Sequence, residues 1–379
     1  MRHGRFWPDL CAFTKQLLLS DPQSLESAAE VVKAHRYELE YLQKLITWRL
    51  SRCEQPATPW RTDNQFMWRY QLQGNEVPPE ALEQVDRLFA ERDHDRTRAI
   101  CRLLTECFPS YADGHLYLGL IARQHGDLGA ATASVERAVR AGRSAFPAHP
   151  AEKRSGGGRS TPPYLRALVE LGSLLHHQGQ DDKALAIADR LEHECADDLA
   201  AATLRGPVHM KAGDYDRAFK AAVHINQIWP EHSIVAALAA FELGLELSAF
   251  QWFLHAVLNQ PRTVRIVLGL RVPKPKTGSE HDDHQAGVRM REDLEGYLQR
   301  QGRKAVRVFR RTLAAAPVAA LVDEARHVVR RWSEPKNGQG WRHAFDRMSQ
   351  MHSVEYAEEQ AQSLRQHSPR LVRGAKQVP

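Results

Sequence analysis

The sequence predicts an all-α chain built from repeated helix pairs. Three observations carry that reading: small and apolar residues recurring at fixed offsets, a glycine turn at the same place in each copy, and a long apolar periodicity of three or four near the N-terminus. Leu118-Gly119, Gly126, Ala131, Val135 and Ala138 recur as Leu171-Gly172, Gly179, Ala184, Ala188 and Leu191. They recur again as Arg205-Gly206, Gly213, Ala218, Ala222 and Ile225, followed by Pro230. The second and third copies are 34 residues apart and the first and second 53, so a 19-residue insertion lies between Ala141 and Pro163. That stretch reads AGRSAFPAHPAEKRSGGGRSTPP, which is loop chemistry.

Physical reasons connect the offsets to helix pairs. A small residue at Gly119, Gly172 and Gly206 lets two helix backbones approach, and Ala131, Ala184 and Ala218 do the same from the second helix. Gly126, Gly179 and Gly213 suit a left-handed turn between helices, with Asp127, Asp181 and Asp214 placed to cap the helix that follows. This 34-residue pattern resembles the tetratricopeptide repeat superfamily. The resemblance implies a right-handed α-solenoid with core repeats at 112–142, 164–197 and 198–231 in an array spanning 79–261, and the insertion loop at 141–163. The order of repeat, basic loop, two repeats and the segment LNQPRTVRIVLGLRVPKP, over roughly residues 95 to 315, is also similar to bacterial tetratricopeptide proteins with the layout of the suppressor-of-tumorigenicity-seven family.

The flanks are read in the same way. An N-terminal helical region, 1–60, contains a long amphipathic helix from Asp21 to about Leu50, with Leu25, Ala28, Val32, Leu39, Leu42 and Ile46 on its apolar face. Pro79 to Asp93 and Asp95 to Cys107 form a helix pair upstream, and Ser233 to Leu247 with Ala249 to Leu258 another downstream. Terminal repeats are atypical because they cap the stack. A linker, 262–284, holds a short apolar segment, Val264 to Leu270, and then the polar loop VPKPKTGSEHDDH. A basic helical region, 285–334, holds helices at Gln285–Gln301, Lys304–Ala315 and Val318–Trp332. The tail, 335–379, is expected to be partly disordered around one helix, Val354–Arg365. Pro207, inside the first helix of the third repeat, is expected to kink it.

Composition removes several classes. With 42% hydrophobic residues, ordinary glycine content and five cysteines (Cys11, Cys53, Cys101, Cys107, Cys195), the chain is neither collagen-like nor wholly disordered nor a disulfide scaffold. No apolar run is long enough to span a bilayer, so no membrane association is expected, and the cysteine usage points to a reducing cytoplasm. The net charge of +6 is unevenly placed: residues 262–379 hold 23 basic and 13 acidic side chains, whereas residues 1–261 are net acidic.

The first helices of stacked pairs line a groove, and the repeat phase assigns to it Leu116, Leu120, Arg123 and Gln124, then Arg166, Val169, Ser173, His176 and His177, then Thr203, Met210 and Lys211. This mixed apolar and basic lining suits an amphipathic or acidic peptide. The lysine and asparagine clamp of the superfamily's chaperone-binding members is replaced here by leucine, valine and threonine. A basic patch, Arg303, Lys304, Arg307, Arg310 and Arg311, alternates with Val306, Phe309 and Leu313 at helical spacing and suits phosphate or an acidic protein surface. His281, Asp282, Asp283 and His284 are metal-ligand types, but neighbours on a helix diverge, and a solvated loop leading into a helix is the simpler account. Gly156–Gly158 fails the P-loop spacing, and no hydrolase, zincin or dinucleotide motif is present. These observations predict a non-enzymatic, cofactor-free scaffold that holds a protein or peptide ligand in its groove. A nucleic-acid-associated protein using the basic helices is the alternative.

Overall fold

The computed structural model describes residues 79–107, 109, 111–145, 163–226, 228–333 and 339–368. The helix expected from Asp21 to Leu50, most of the insertion loop with its three glycines, and the last eleven residues lie outside these. The described residues are α-helical with one short 3-10 turn, as the repeat pattern requires. They fall into two compact units, one comprising the residues up to Gln178 with His193–Asp197, the other Gly179–Glu192 with the residues from Asp198 onward.

The N-terminal unit contains α1 (Pro79–Ala90), α2 (His94–Cys107), α3 (Ala112–Gln124), α4 (Leu128–Ala145) and α5 (Pro163–His177). Each packs on the next, and α3 also lies against α5. A methyl group on Gly119 would sit 2.5 Å from Val135 Cγ2, so α3 and α4 meet at a contact that favours glycine. Gly126 turns the chain at φ 78°, and Asp127 caps α4 by accepting the Ala130 N–H at 2.9 Å. Ile121, Ala131, Val135 and Ala138 are fully buried between the two helices.

Helix α6 (Asp181–Cys195) is divided between the units. Its turn glycine, Gly179, has φ 78° as expected, but Asp181 is the first residue of the helix rather than its cap, and it pairs with Lys211 at 2.7 Å.

The C-terminal unit continues with two further pairs, α7 (Asp198–Ala212) with α8 (Tyr215–Ile225), and α9 (Ser233–Glu242) with α10 (Glu246–Asn259), a 3-10 turn at Pro230–His232 joining them. Gly213 and Gly244 make the left-handed turns at φ 81° and 74°. Helix α7 runs unbroken through Pro207 to Ala212. The proline therefore removes one backbone bond, to the Thr203 carbonyl, without ending the helix. Gly206 is less constrained than expected, since a methyl there would meet Val235 Cγ1 at an ordinary 3.7 Å.

Residues Ser233 to Phe241 of α9 are all buried, so this helix has no polar side and forms the centre of the unit's core. It is enclosed by α7, α8, α10 and, from the basic region, α14 (Arg303–Ala314). Before α14 come α11 (Pro261–Val267), α12 (Gly278–Asp293) and α13 (Glu295–Arg300); after it come α15 (Ala316–Ser333), α16 (Gln339–Met351) and α17 (Val354–His367).

Three sequence boundaries change. The linker expected at 262–284 contains α11 and the first turns of α12, because Thr277 Oγ1 accepts the Glu280 N–H at 3.2 Å and Glu280 reaches back to the Lys276 N–H at 2.6 Å. The single helix expected over Gln285–Gln301 is two, divided at the fully buried Leu294. Two helices, α16 and α17, lie within the tail: Ser353 caps α17, and the small Ala357 and Ala361 pack on Phe250 and Leu254 of α10. Sequence pattern alone found the helix there but not its docking.

Candidate functional site

On the N-terminal unit the first helices α3 and α5 share a polar seam. Asp113 of α3 binds Arg166 of α5 at 2.6 Å, and further along Arg123 of α3 binds Glu170 of α5 at 2.8 Å and donates to Ser173 Oγ at 3.2 Å. The two pairs have opposite polarity, which fixes the register of the helices. Burial raises the Asp113 pKa, and Arg166 opposes that shift through charge and hydrogen bond. Tyr117 extends the seam toward α1 by donating to Asp86.

The nine groove residues expected on this unit therefore divide. Leu116 and His176 are buried, Leu120 and Val169 are half-buried, and Gln124 and His177 are exposed. Arg123, Arg166 and Ser173 are bound to α3 and α5 themselves. This face is consequently apolar at Leu120 and Val169, and its charges at Asp113, Arg123, Arg166 and Glu170 are paired with one another.

The three groove residues expected from the third repeat are engaged within the C-terminal unit. Met210 is 0% exposed in the main core. Lys211 pairs with Asp181, and its stem lies against Gly296 of α13, where a methyl would be 2.9 Å from Lys211 Cγ. Thr203 is half-buried and donates to the Ala200 carbonyl at 2.7 Å. The sequence could not show that the chain's own later helices pack here, because the pairing involves residues more than eighty positions apart.

The basic patch also divides. Arg310 Nε donates to the Leu268 carbonyl at 2.6 Å, and Arg291 of α12 donates to the carbonyls of Ile266 and Val267 at 2.9 and 3.0 Å. These guanidinium groups cap the C-terminal end of α11, where unsatisfied carbonyls carry partial negative charge. Gly269 permits this: it turns at φ 68°, and a side chain there would strike Arg310 Nη2 at 2.8 Å. Arg303, Arg307 and Arg311 lie exposed on the same helix, beside a cleft of about 480 Å³ walled by Val267, Leu268, Leu298 and Val306. Lys304 is exposed next to them and approaches Glu242. Arg291 and the apolar walls were not identified from sequence.

Asp283 has a structural task. Its carboxylate accepts the N–H groups of Arg262 and Thr263 at 2.9 and 2.8 Å, capping α11 from another helix, while Thr263 Oγ1 donates to the Asp283 carbonyl at 2.8 Å. Among the described residues no group of three or more His, Cys, Asp or Glu side chains converges as a metal site. No helix among them is long and apolar enough to cross a membrane.

Together these features define an all-α chain of stacked helix pairs with a 34-residue register and left-handed turns at Gly126, Gly179 and Gly213. No protein-family model and no curated protein matches the chain. Among solved structures it is similar to YrrB, described as a TPR protein with an unusual peptide-binding site, at 16% identity over 58% of this chain and 94% of that one, with a TM-score of 0.34.

Proposed function

We propose that the chain is a non-catalytic interaction scaffold, and that the first-helix face of its N-terminal unit holds a peptide segment of a partner protein. One observation carries this reading: the α3–α5 seam is locked by the Asp113–Arg166 and Arg123–Glu170 pairs, while Leu120, Val169, Gln124 and His177 remain at the surface around it. A preorganised face of this kind costs little to order on binding. Because the arginines are paired, the fitting ligand is an amphipathic segment of low net charge, with apolar side chains over Leu120 and Val169, rather than an acidic tail. A cytoplasmic setting is part of this reading, in keeping with the buried thiols of Cys101 and Cys195.

The test is affinity capture from the native cell extract with the wild-type chain and with a Leu120→Glu, Val169→Glu variant whose helicity is unchanged. A defined protein retained by the first and lost by the second supports the scaffold. An identical set of proteins on both, or a turnover activity lost in the variant, contradicts it.

A further inference from the structure

We infer that the cleft beside α14 is a second binding site, for an acidic amphipathic helix from a partner protein. It lies wholly within the C-terminal unit and is independent of the first-helix face proposed above.

Arg303, Arg307 and Arg311 are spaced four residues apart, so their guanidinium groups form one stripe with a rise of about 6 Å per step. No described residue makes a hydrogen bond or ion pair with any of the three, although Arg310 and Arg291 a few residues away are both engaged on α11 carbonyls. Like charges at this spacing repel on an isolated helix, by roughly a few tenths of a kcal/mol per pair. The helix tolerates them because Phe309, on its other side, is anchored in the core.

The cleft beside the stripe is walled by aliphatic side chains, Val267, Leu268, Leu298 and Val306. That combination selects the ligand. Carboxylates four residues apart on a helix repeat at the same rise as the arginines and meet them as charge-assisted pairs. Aliphatic residues one position earlier in each turn of the same ligand then fall into the cleft. A single-stranded nucleic acid also offers anions at suitable spacing, but its bases need aromatic faces to stack on, and the cleft has none among its walls. Duplex phosphates would pair with the arginines and leave the apolar walls uncovered.

The test uses fluorescence anisotropy with three labelled probes: a helical peptide of about 18 residues carrying Glu every fourth position and Leu beside it, the same peptide with Leu→Ser, and an oligothymidine of about 15 nucleotides. The expected result is saturable binding of the leucine peptide at about 0.15 M salt. Affinity should be at least about tenfold weaker for the serine peptide and for the oligonucleotide. Arg303→Glu, Arg307→Glu, Arg311→Glu should abolish binding, and the same three positions changed to Gln, a milder variant that guards against misfolding, should weaken it about tenfold. Absence of leucine-peptide binding, indifference to the serine change, or tighter binding of the oligonucleotide overturns the proposal.

Discussion

Phe309 of α14 lies flat on Phe253 of α10, with ring centroids 4.5 Å apart and planes 10° from parallel, and meets Phe241 of α9 at 5.8 Å. This contact joins the basic helix to the last helix pair and sets which of its faces carries the arginines. Replacing Phe309 by alanine removes the stack and leaves a cavity in the main core, so a loss of about 3–5 kcal/mol is expected. Denaturant unfolding checks it, and Phe309→Leu should recover more than half.

Gly119 and Gly206 occupy the same place in the repeat but not the same environment. A methyl on Gly119 meets Val135 Cγ2 at 2.5 Å, whereas one on Gly206 meets Val235 at 3.7 Å. Gly119→Ala should therefore destabilise by about 1–3 kcal/mol and be relieved by Val135→Ala. Gly206→Ala should be neutral or gain roughly 0.5–1 kcal/mol from helix propensity. Thermal unfolding of the three variants and the double variant measures both effects.

Asp283 holds α11, whose other end walls the arginine cleft. Asp283→Ala strips two backbone N–H groups, those of Arg262 and the buried Thr263, of their acceptor, at a cost of about 2 kcal/mol. Hydrogen exchange should rise over residues 262–268 before it rises in α9. Uniform exchange across the unit would contradict a local cap.

Two buried histidines give the C-terminal unit an acid limit. Burial lowers both His232 and His255 from 6.5 to about 4. His255 Nδ1 is 2.8 Å from Ser233 Oγ, the His352 backbone bonds to His255 as well, and the nearby charges are His352, which opposes its protonation, and Glu355, which favours it. Between about pH 6.5 and 4 the unfolded chain takes up protons that the folded chain refuses. Stability is thus complete above about 6.5 and declines as pH falls toward 4, by up to roughly 3 kcal/mol per histidine. Denaturant midpoints at about pH 7.5 and 5 test this, and His255→Gln should remove part of the difference.

The helix pairs were legible because their signals are local. Gly126, Gly179 and Gly213 take the left-handed turn that their repeat position demands, and Asp127 and Asp214 cap as expected. The start of α12 has a local signal too, the capping-box spacing of Thr277 and Glu280, but the polar residues around it read as a linker. What the sequence could not reveal was pairing at long range. Arg123 and Arg166 read as ligand-binding charges until Glu170 and Asp113 are seen opposite them, and Met210 reads as a surface residue until α9 and the later helices enclose it. Conversely, Arg303, Arg307 and Arg311 were visible as a stripe, but their aliphatic cleft is assembled from three separate helices and the Leu268 turn.

The α3–α5 face is the surface proposed to meet a partner. Site-specific photo-crosslinking in the native cell, from Gln124 and His177 on that face and from the exposed Arg137 on α4, tests this most directly. One defined protein adduct is expected from Gln124 and His177 and none from Arg137. Adducts of equal yield from Arg137, or none from the other two positions, would contradict it.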